Sequence, residues 1–296
     1  MIHQVCALCG TKNFTVLYPA NFETQDINEK IFSARRMPDR IHFQIVRCNK
    51  DGLVYSTPIL EYTKLEKLYR KSFTTYNEHV ENLNETYGYY LKELEKYRPG
   101  KNRLLEIGCG NGFFLMEALE QRYRNVYGVE PGKKSAAQAP DKIKRNIVVD
   151  IFKPGLFKKN FFNVICCFQT FDHIPNPNEF LTECRRILKK GGLVLFLNHD
   201  VESMSAKILR EASPIIDIEH TYLYNKKTMR KIFAKNGFKV LSVKDAFNIH
   251  DLFHWAWLFP LPVGIKKLVL AFLRKTGLGT RKIKMYPGNL VLYAEK

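Results

Sequence analysis

Short apolar runs alternate with helical stretches along the chain from Arg103 onward. This alternation is typical of βαβ units, in which parallel strands form a central sheet that helices cover on both faces. Two of the runs, 164–168 and 193–197, are apolar throughout, as expected for strands that are buried on both faces. The predicted strands are 104–107, 126–129, 147–149, 164–168, 193–197, 239–243 and 289–294, and the predicted helices are 113–122, 178–188 and 226–236, with a short helix near Lys134.

Two segments of different composition precede this pattern. Residues 1–60 are mostly polar apart from an alternating, strand-like run at 41–47, and residues 61–99 are rich in helix formers until Pro99 and Gly100 interrupt them. The sequence therefore predicts a small N-terminal domain at 1–60, a helical linker at 61–99 and a main α/β domain at 100–296. Within the main domain, residues 247–288 are predicted to form an irregular basic insertion.

A glycine-rich loop follows the first strand of the main domain. Glycines alternate with other residues at 108, 110 and 112, between the strand that ends at Ile107 and the helix that begins at Phe113. Glycine suits this position because the backbone must turn sharply and approach a ligand without a Cβ atom in the way. In the dinucleotide fingerprint the third glycine comes one residue later, where this chain has Phe113, and the spacing therefore disfavours NAD.

The sequence Glu-x-Gly-x-Gly-x-Gly at 106–112 resembles the first motif of class I S-adenosylmethionine-dependent methyltransferases. The resemblance implies a Rossmann-like, seven-stranded α/β sheet and S-adenosylmethionine as cofactor. It places Glu130, after the second strand, against the ribose hydroxyls, and Asp150, after the third strand, near the adenine. The cofactor-binding residues that it implies are Glu106, Gly108, Cys109, Gly110, Gly112, Glu130, Pro131, Asp150, Ile151 and Gln169.

Two histidines are candidate general bases. His173 follows the fourth strand, at the edge of the sheet where reacting groups lie in open α/β folds. His220 lies in a Glu-His-aromatic stretch that resembles the acceptor-binding segment of sugar and quinone methyltransferases. Packing or helix capping is the competing interpretation for His173. His199 and Asp200 close the fifth strand and could also reach the acceptor, but a histidine at the end of a strand is more simply a hydrogen-bonded residue.

The N-terminal cysteines form two short motifs. Cys6-x-x-Cys9 and Cys48-x-x-Asp51 resemble the two knuckles of a zinc ribbon, with Asp51 where a cysteine is usual. Similar zinc-binding domains precede the catalytic domain in a set of bacterial sugar and small-molecule methyltransferases. The resemblance implies a structural zinc ion held by Cys6, Cys9, Cys48 and Asp51, and the alternative is a metal-free domain with buried thiols. The other four cysteines, Cys109, Cys166, Cys167 and Cys184, are predicted to be packing residues.

Positive charge increases toward the C-terminus of this chain, whose formal net charge is +18. No acidic residue lies between Asp251 and Glu295, whereas seven lysines and arginines do. Such a stretch favours an anionic partner: an anionic small-molecule acceptor, a membrane surface or, less favoured, a nucleic acid. A solvated basic face is the alternative. The apolar stretch 253–273 is interrupted by prolines, a glycine and lysines, and no signal peptide is recognisable, so we expect a cytoplasmic protein that contacts a membrane at most peripherally.

These features predict an S-adenosylmethionine-dependent enzyme that methylates a small, anionic acceptor such as a sugar nucleotide or a lipid-linked intermediate. RNA methylation is a second hypothesis, disfavoured because residues 169–172 do not resemble the Asn- or Asp-Pro-Pro-aromatic motif of base-amine methylases. A scaffold protein that keeps the fold without catalysis is a third.

Overall fold

The computed structural model describes residues 1–22, 40–71, 80–258 and 262–296. Each of the predicted segments 1–60, 61–99 and 247–288 therefore includes residues that lie outside the described ones. The strands are β1 Phe14–Tyr18, β2 Ile45–Cys48, β3 Val54–Ser56, β4 Arg103–Ile107, β5 Asn125–Val129, β6 Ile147–Val148, β7 Phe162–Phe168, β8 Leu188–His199, β9 Tyr222–Leu223, β10 Lys239–Asp251 and β11 Lys282–Glu295. The helices are α1 Tyr62–Lys71, α2 Val80–Glu93, α3 Phe113–Glu120, α4 Lys133–Ala137, α5 Asp141–Lys144, α6 Pro177–Ile187, α7 Met204–Leu209, α8 Lys226–Lys235, α9 Leu252–Leu258 and α10 Val263–Thr276.

Seven strands form the main sheet, in the order β10-β11-β8-β7-β4-β5-β6. The five strands from β8 to β6 are parallel, and β11 and β10 are added antiparallel at one edge. The strand order reverses direction around β4, and in such sheets ligands bind beyond the carboxyl ends of the strands at that reversal. The predicted seven-stranded α/β sheet is confirmed.

Helices cover both faces of this sheet. Side chains that alternate along β7 enter two different clusters: Ile165 and Cys167 pack with α6 and α8, and Val164 and Cys166 pack with α2 and α3. The strand is completely buried from Val164 to Cys167, which explains why its sequence is apolar throughout. The four cysteines predicted as packing residues are buried, and burial raises the pKa of each thiol well above its ordinary value.

The N-terminal unit is a four-stranded sheet in the order β1-β2-β3-β9. Its last strand, β9, lies far from the other three in the sequence, and Tyr222 and Leu223 of this strand pair with β3. Ser56 donates hydrogen bonds from its backbone nitrogen to the carbonyl oxygen of Thr221 (2.9 Å) and from its side chain to that of His220 (2.8 Å). The N-terminal unit therefore holds the backbone on which His220 lies.

Helix α2 packs against α3 and β10 and contributes to the core of the main sheet. The buried hydroxyl of Tyr90 donates to the carbonyl oxygen of Phe247 (3.1 Å) and accepts a hydrogen bond from its backbone nitrogen (2.7 Å). The predicted helices of segment 61–99 are present as α1 and α2, and residues 72–79 between them lie outside the described part of the chain.

The prediction of an irregular insertion at 247–288 is wrong for the described residues. Strands β10 and β11 extend beyond the sheet as a two-stranded ribbon, in which Ile249 pairs with Lys284, and α9 and α10 form a helical hairpin at its end. The helical periodicity is weak in the sequence because α10 has apolar side chains on two sides. Among the described residues no helix is both long enough and apolar enough to cross a bilayer.

Candidate active site and metal centre

A cavity of about 540 Å³ lies at the carboxyl ends of the parallel strands. It is lined by loops that follow β4, β5, β7 and β8 and by residues of α1 and α2. The lining includes eight of the ten predicted cofactor-binding residues and both predicted bases: Glu106, Gly108, Cys109, Gly110, Glu130, Pro131, Ile151, Gln169, His173 and His220. Gly112 and Asp150 do not contribute to it.

The glycine loop turns as its sequence predicts. Gly108, Gly110 and Gly112 all have positive φ angles, of 79°, 56° and 76°, which glycine adopts without strain. A Cβ atom on Gly108 would collide with the Oγ1 atom of Thr170 and lie 2.9 Å from its Cγ2 atom. Gly112, directly before α3, packs against Ile143 of α5, so the absence of a side chain lets the start of α3 approach α5 closely.

Glu130, directly after β5, holds the glycine loop in place by hydrogen bonds. One of its carboxylate oxygens accepts a hydrogen bond from the backbone nitrogen of Gly110 (2.9 Å), and the other accepts one from that of Gly132 (2.7 Å). The carboxylate lies in the cavity wall beside Pro131, where an acidic group can accept hydrogen bonds from ribose hydroxyls.

Asp150 is held by two cationic side chains and does not itself line the cavity. Its carboxylate forms ion pairs with Arg70 of α1 and with Lys153, the latter at 2.7 Å. Burial opposes ionisation, but the bonds to Lys153 and Arg70 prevail and lower the pKa of Asp150 to about 2. Asp150 therefore ties α1 to the edge of the sheet, while the adjacent Ile151 faces the cavity, and the predicted contact of Asp150 with adenine stays a prediction.

Three histidines that line the cavity surround one buried carboxylate. Asp172 is 1% exposed, and its Oδ2 atom lies 2.7 Å from the Nδ1 atom of His199 and 3.9 Å from the Nε2 atom of His220. The Nε2 atom of His173 lies 3.9 Å from the other oxygen of Asp172. Burial alone would favour the neutral acid, but the nearby His199, His220 and His173 hold the pKa of Asp172 well below its ordinary value.

The tautomer of His220 follows from its hydrogen bond. Its Nδ1 atom lies 2.8 Å from the carbonyl oxygen of Ile215, which can only accept, so Nδ1 carries the proton and Nε2 has a lone pair. Burial lowers the pKa of His220 below its ordinary 6.5, against the opposing effect of Asp172. At neutral pH the ring is therefore an uncharged base, with an anionic carboxylate placed to stabilise the imidazolium that forms when it accepts a proton.

Sequence reasoning did not select Asp172 as a site residue, and for His199 it favoured a hydrogen-bonding role over contact with the acceptor. Asp172 follows β7 and His199 ends the adjacent parallel strand β8, so the topology alone brings them to the same edge of the sheet. That adjacency is a signal that could have found the pair. Tyr69 and Tyr87, which line the cavity from α1 and α2, carry no such signal because their helices lie outside the βαβ pattern.

The remaining charges in the cavity wall are mostly negative. Glu66, Glu179, Glu183, Asp217 and Glu219 contribute to the lining, together with one lysine, Lys153. A cationic sulfonium group suits such a wall, and an anionic group on the acceptor does not.

The two N-terminal motifs form matching turns. In the first, the backbone nitrogen of Gly10 donates to the carbonyl oxygen of Cys6 (2.8 Å), and in the second, that of Gly52 donates to Cys48 (2.9 Å). Both glycines have positive φ angles, of 73° and 76°. The ligand atoms of Cys6, Cys9, Cys48 and Asp51 all lie within 4.8 Å of one another, so three thiols and one carboxylate converge as a four-coordinate zinc site requires. Asp51 also accepts a hydrogen bond from the ammonium group of Lys231 (2.8 Å).

Comparison with known proteins agrees with this geometry. A family model described as "Methyltransferase domain" matches residues 76–243, which is more than half of the chain. A Pseudomonas aeruginosa (strain UCBPP-PA14) protein named ubiquinone biosynthesis O-methyltransferase is 32% identical over 103 residues, which cover 31% of this chain and 42% of the relative. A Bordetella avium protein of the same name is 26% identical over 129 residues, or 40% of this chain and 52% of the relative. The chain thus spans about half of these relatives or less.

Among solved structures, the complex between the Haloferax volcanii Trm112 methyltransferase activator and a chain described as a methyltransferase aligns with a TM-score of 0.50. The alignment covers 73% of this chain and 92% of that chain at 16% sequence identity. At this identity the similarity concerns the fold alone.

Proposed function

This chain belongs to the class I S-adenosylmethionine-dependent methyltransferases, and from that premise we propose that it methylates a small acceptor with an anionic part, such as a sugar nucleotide or a lipid-linked intermediate. One observation supports the proposal most strongly. The glycine loop and Glu130 line the same cavity as His173, His199 and His220, the three histidines around Asp172. A donor site and a proton-accepting site therefore face the same space.

The cavity wall fits the methyl donor. Gly108 and Gly110, both with positive φ angles, line the cavity with backbone alone, and Glu130 supplies a carboxylate beside them. When bound, S-adenosylmethionine supplies a methyl group already activated by its sulfonium. The protein therefore has to align the acceptor with that methyl group, exclude water and remove a proton.

We assign proton removal to His220. Its Nε2 lone pair is held in position by the hydrogen bond from Nδ1 to Ile215, and the carboxylate of Asp172 stabilises the protonated ring. His199, hydrogen-bonded to the same carboxylate, fixes the orientation of Asp172. His173 lies beside His220 with ring centroids 4.9 Å apart, and it contributes to the acceptor-facing wall.

The charges of the wall restrict how the acceptor binds. Because the lining is acidic, we place an uncharged hydroxyl of the acceptor in the cavity and its anionic part outside, toward the basic C-terminal ribbon. The names of the relatives, which are O-methyltransferases, favour a hydroxyl as the reacting group.

Turnover with candidate acceptors tests this assignment. We expect the purified protein to form S-adenosylhomocysteine from S-adenosylmethionine when sugar nucleotides or lipid-linked phosphates with free hydroxyls are added, and methylated product to appear in equal amount. Matched neutral compounds, with the phosphates removed, should be poorer acceptors because the basic ribbon has nothing to bind. Equal turnover of charged and neutral forms would contradict the anionic part of the proposal.

We also propose that Cys6, Cys9, Cys48 and Asp51 bind a structural zinc ion, since four protein ligands leave no open position for catalysis. Protein purified without chelator is expected to contain about one equivalent of zinc, and less than about half would contradict the site.

Asp51→Ala should lower zinc affinity at least about tenfold, and Asp51→Cys, which restores the usual ligand, should retain it. Because Ser56 anchors the backbone of His220, zinc removal should reduce turnover more than affinity for S-adenosylmethionine.

A further inference from the structure

Helix α10 exposes an apolar strip to solvent. Ile265, Leu268 and Phe272 are 52%, 73% and 58% exposed, and their spacing of three and four residues places them on one side of the helix. The exposed Lys267 and Lys275 flank them. We call these five side chains the hairpin surface.

The hairpin surface is not the side by which α10 packs. Leu273, at 9% exposure, is buried and lies about 100° around the helix axis from Phe272, outside the strip. The ammonium group of Lys266 donates to the carbonyl oxygen of Trp257 (2.9 Å), and the guanidinium of Arg274 lies 4.9 Å from the ring centroid of Phe253. These contacts fasten α10 to α9, so the exposed strip is a second apolar face of the same helix.

The hairpin stands at the edge of the sheet where the cavity opens. Asn289 of β11 pairs with His199 at the carboxyl end of β8, and the part of β11 before Asn289 continues past that edge toward the hairpin. Exposed apolar side chains occur along the same edge. They are Met285 and Tyr286 on the ribbon and Met204 and Ile208 on α7, which the Ser205 hydroxyl joins to the carbonyl oxygen of Pro287 (2.8 Å).

The positive charge of this region indicates which kind of partner binds the hairpin surface. Seven basic residues and no acidic residue lie between Asp251 and Glu295, so a second copy of the chain would bring like charges together. A nucleic acid would neutralise the lysines but would leave Leu268 and Phe272 in water. An anionic bilayer accepts both groups, because the apolar side chains enter the boundary of the acyl chains while the lysines contact headgroup phosphates.

We propose that the hairpin surface docks the protein on anionic phospholipid membranes, with α10 lying in the plane of the interface. The inference does not depend on the proposed methyl transfer. If both hold, docking brings the cavity next to the bilayer, where an acceptor with a lipid anchor can reach His199 and His220 without leaving the membrane.

The chain carries its own fluorescent reporter of docking. Its two tryptophans, Trp255 and Trp257, both lie on α9, the helix that packs against α10. Titration with phosphatidylglycerol vesicles should shift their emission to shorter wavelength, and the protein should sediment with these vesicles. Pure phosphatidylcholine vesicles should bind at least about tenfold more weakly.

Two double variants test the apolar strip and the lysines in turn. Leu268→Glu/Phe272→Glu and Lys267→Glu/Lys275→Glu should each weaken binding at least about tenfold. The matched controls are Val16→Glu, 46% exposed on β1, and Lys158→Glu/Lys159→Glu, which changes the net charge as much as the lysine pair does. Both controls should bind vesicles as the wild type does, and all variants should keep the wild-type affinity for S-adenosylmethionine.

Two results would overturn the proposal. Binding that Leu268→Glu/Phe272→Glu leaves unchanged would reduce the surface to a general polyanion site, as for a nucleic acid. Failure to sediment with anionic vesicles at low salt, by protein that still binds S-adenosylmethionine, would exclude membrane docking and leave methyl transfer untouched.

Discussion

We expect His220→Asn to lower the rate of methyl transfer about 10²- to 10⁴-fold, the usual contribution of a positioned general base. Asparagine keeps a donor for the carbonyl oxygen of Ile215 and removes the Nε2 lone pair, so the buried polar contact survives while the base is lost. Affinity for S-adenosylmethionine should change less than about twofold, because the variant leaves the glycine loop intact. His3→Ala, at an exposed histidine, is the matched control and should behave as the wild type.

The pH dependence of the wild type follows from the same group. Because burial lowers the pKa of His220 below 6.5, the neutral, active ring predominates above that pH. The rate should therefore fall only as the pH drops through a value under 6.5. Asp172→Asn removes a carboxylate that favours the protonated ring, so it should move this acidic limb to lower pH and also reduce the maximal rate. Full turnover by both His220→Asn and Asp172→Asn would contradict the assignment.

Glu130→Ala is expected to weaken binding of S-adenosylmethionine at least about tenfold, since hydrogen bonds to a charged group contribute roughly 1.5–3 kcal/mol each. The variant also removes the acceptor for the backbone nitrogens of Gly110 and Gly132, so part of the loss comes from a less ordered loop. Glu120→Ala, an exposed carboxylate at the end of α3, is the control for the loss of one negative charge. Thermal unfolding of both variants distinguishes lost contacts from a lost fold, and equal affinity of Glu130→Ala and wild type would exclude the ribose role.

The parallel strands and the donor site could be predicted because their determinants are local. A strand buried on both faces needs a continuous apolar run, as at Val164 to Cys167, and the loop after β4 needs glycine wherever φ is positive. Each requirement limits which residues can occupy a few consecutive positions. In β4 and β5 the strands accordingly begin only one residue before the predicted start and end at the predicted residue.

The remaining features depend on contacts between distant segments. The pair of β3 with β9, the ion pair of Arg70 with Asp150 and the approach of His220 to Asp172 each join residues far apart in the sequence. The pattern of apolar and polar residues along the sequence carries no information about such contacts. The helical hairpin was missed for a different reason: α10 has apolar side chains on two sides, and its pattern therefore resembles neither a buried nor a simple amphipathic helix.

Calorimetric titration of the wild-type protein with S-adenosylmethionine tests the central claim most directly. The geometry of the glycine loop and Glu130 predicts one site per chain, competition by S-adenosylhomocysteine and weaker binding by Glu130→Ala than by Glu120→Ala. Folded, metal-replete protein that binds no S-adenosylmethionine would contradict the account and favour a scaffold that has kept the fold without the activity.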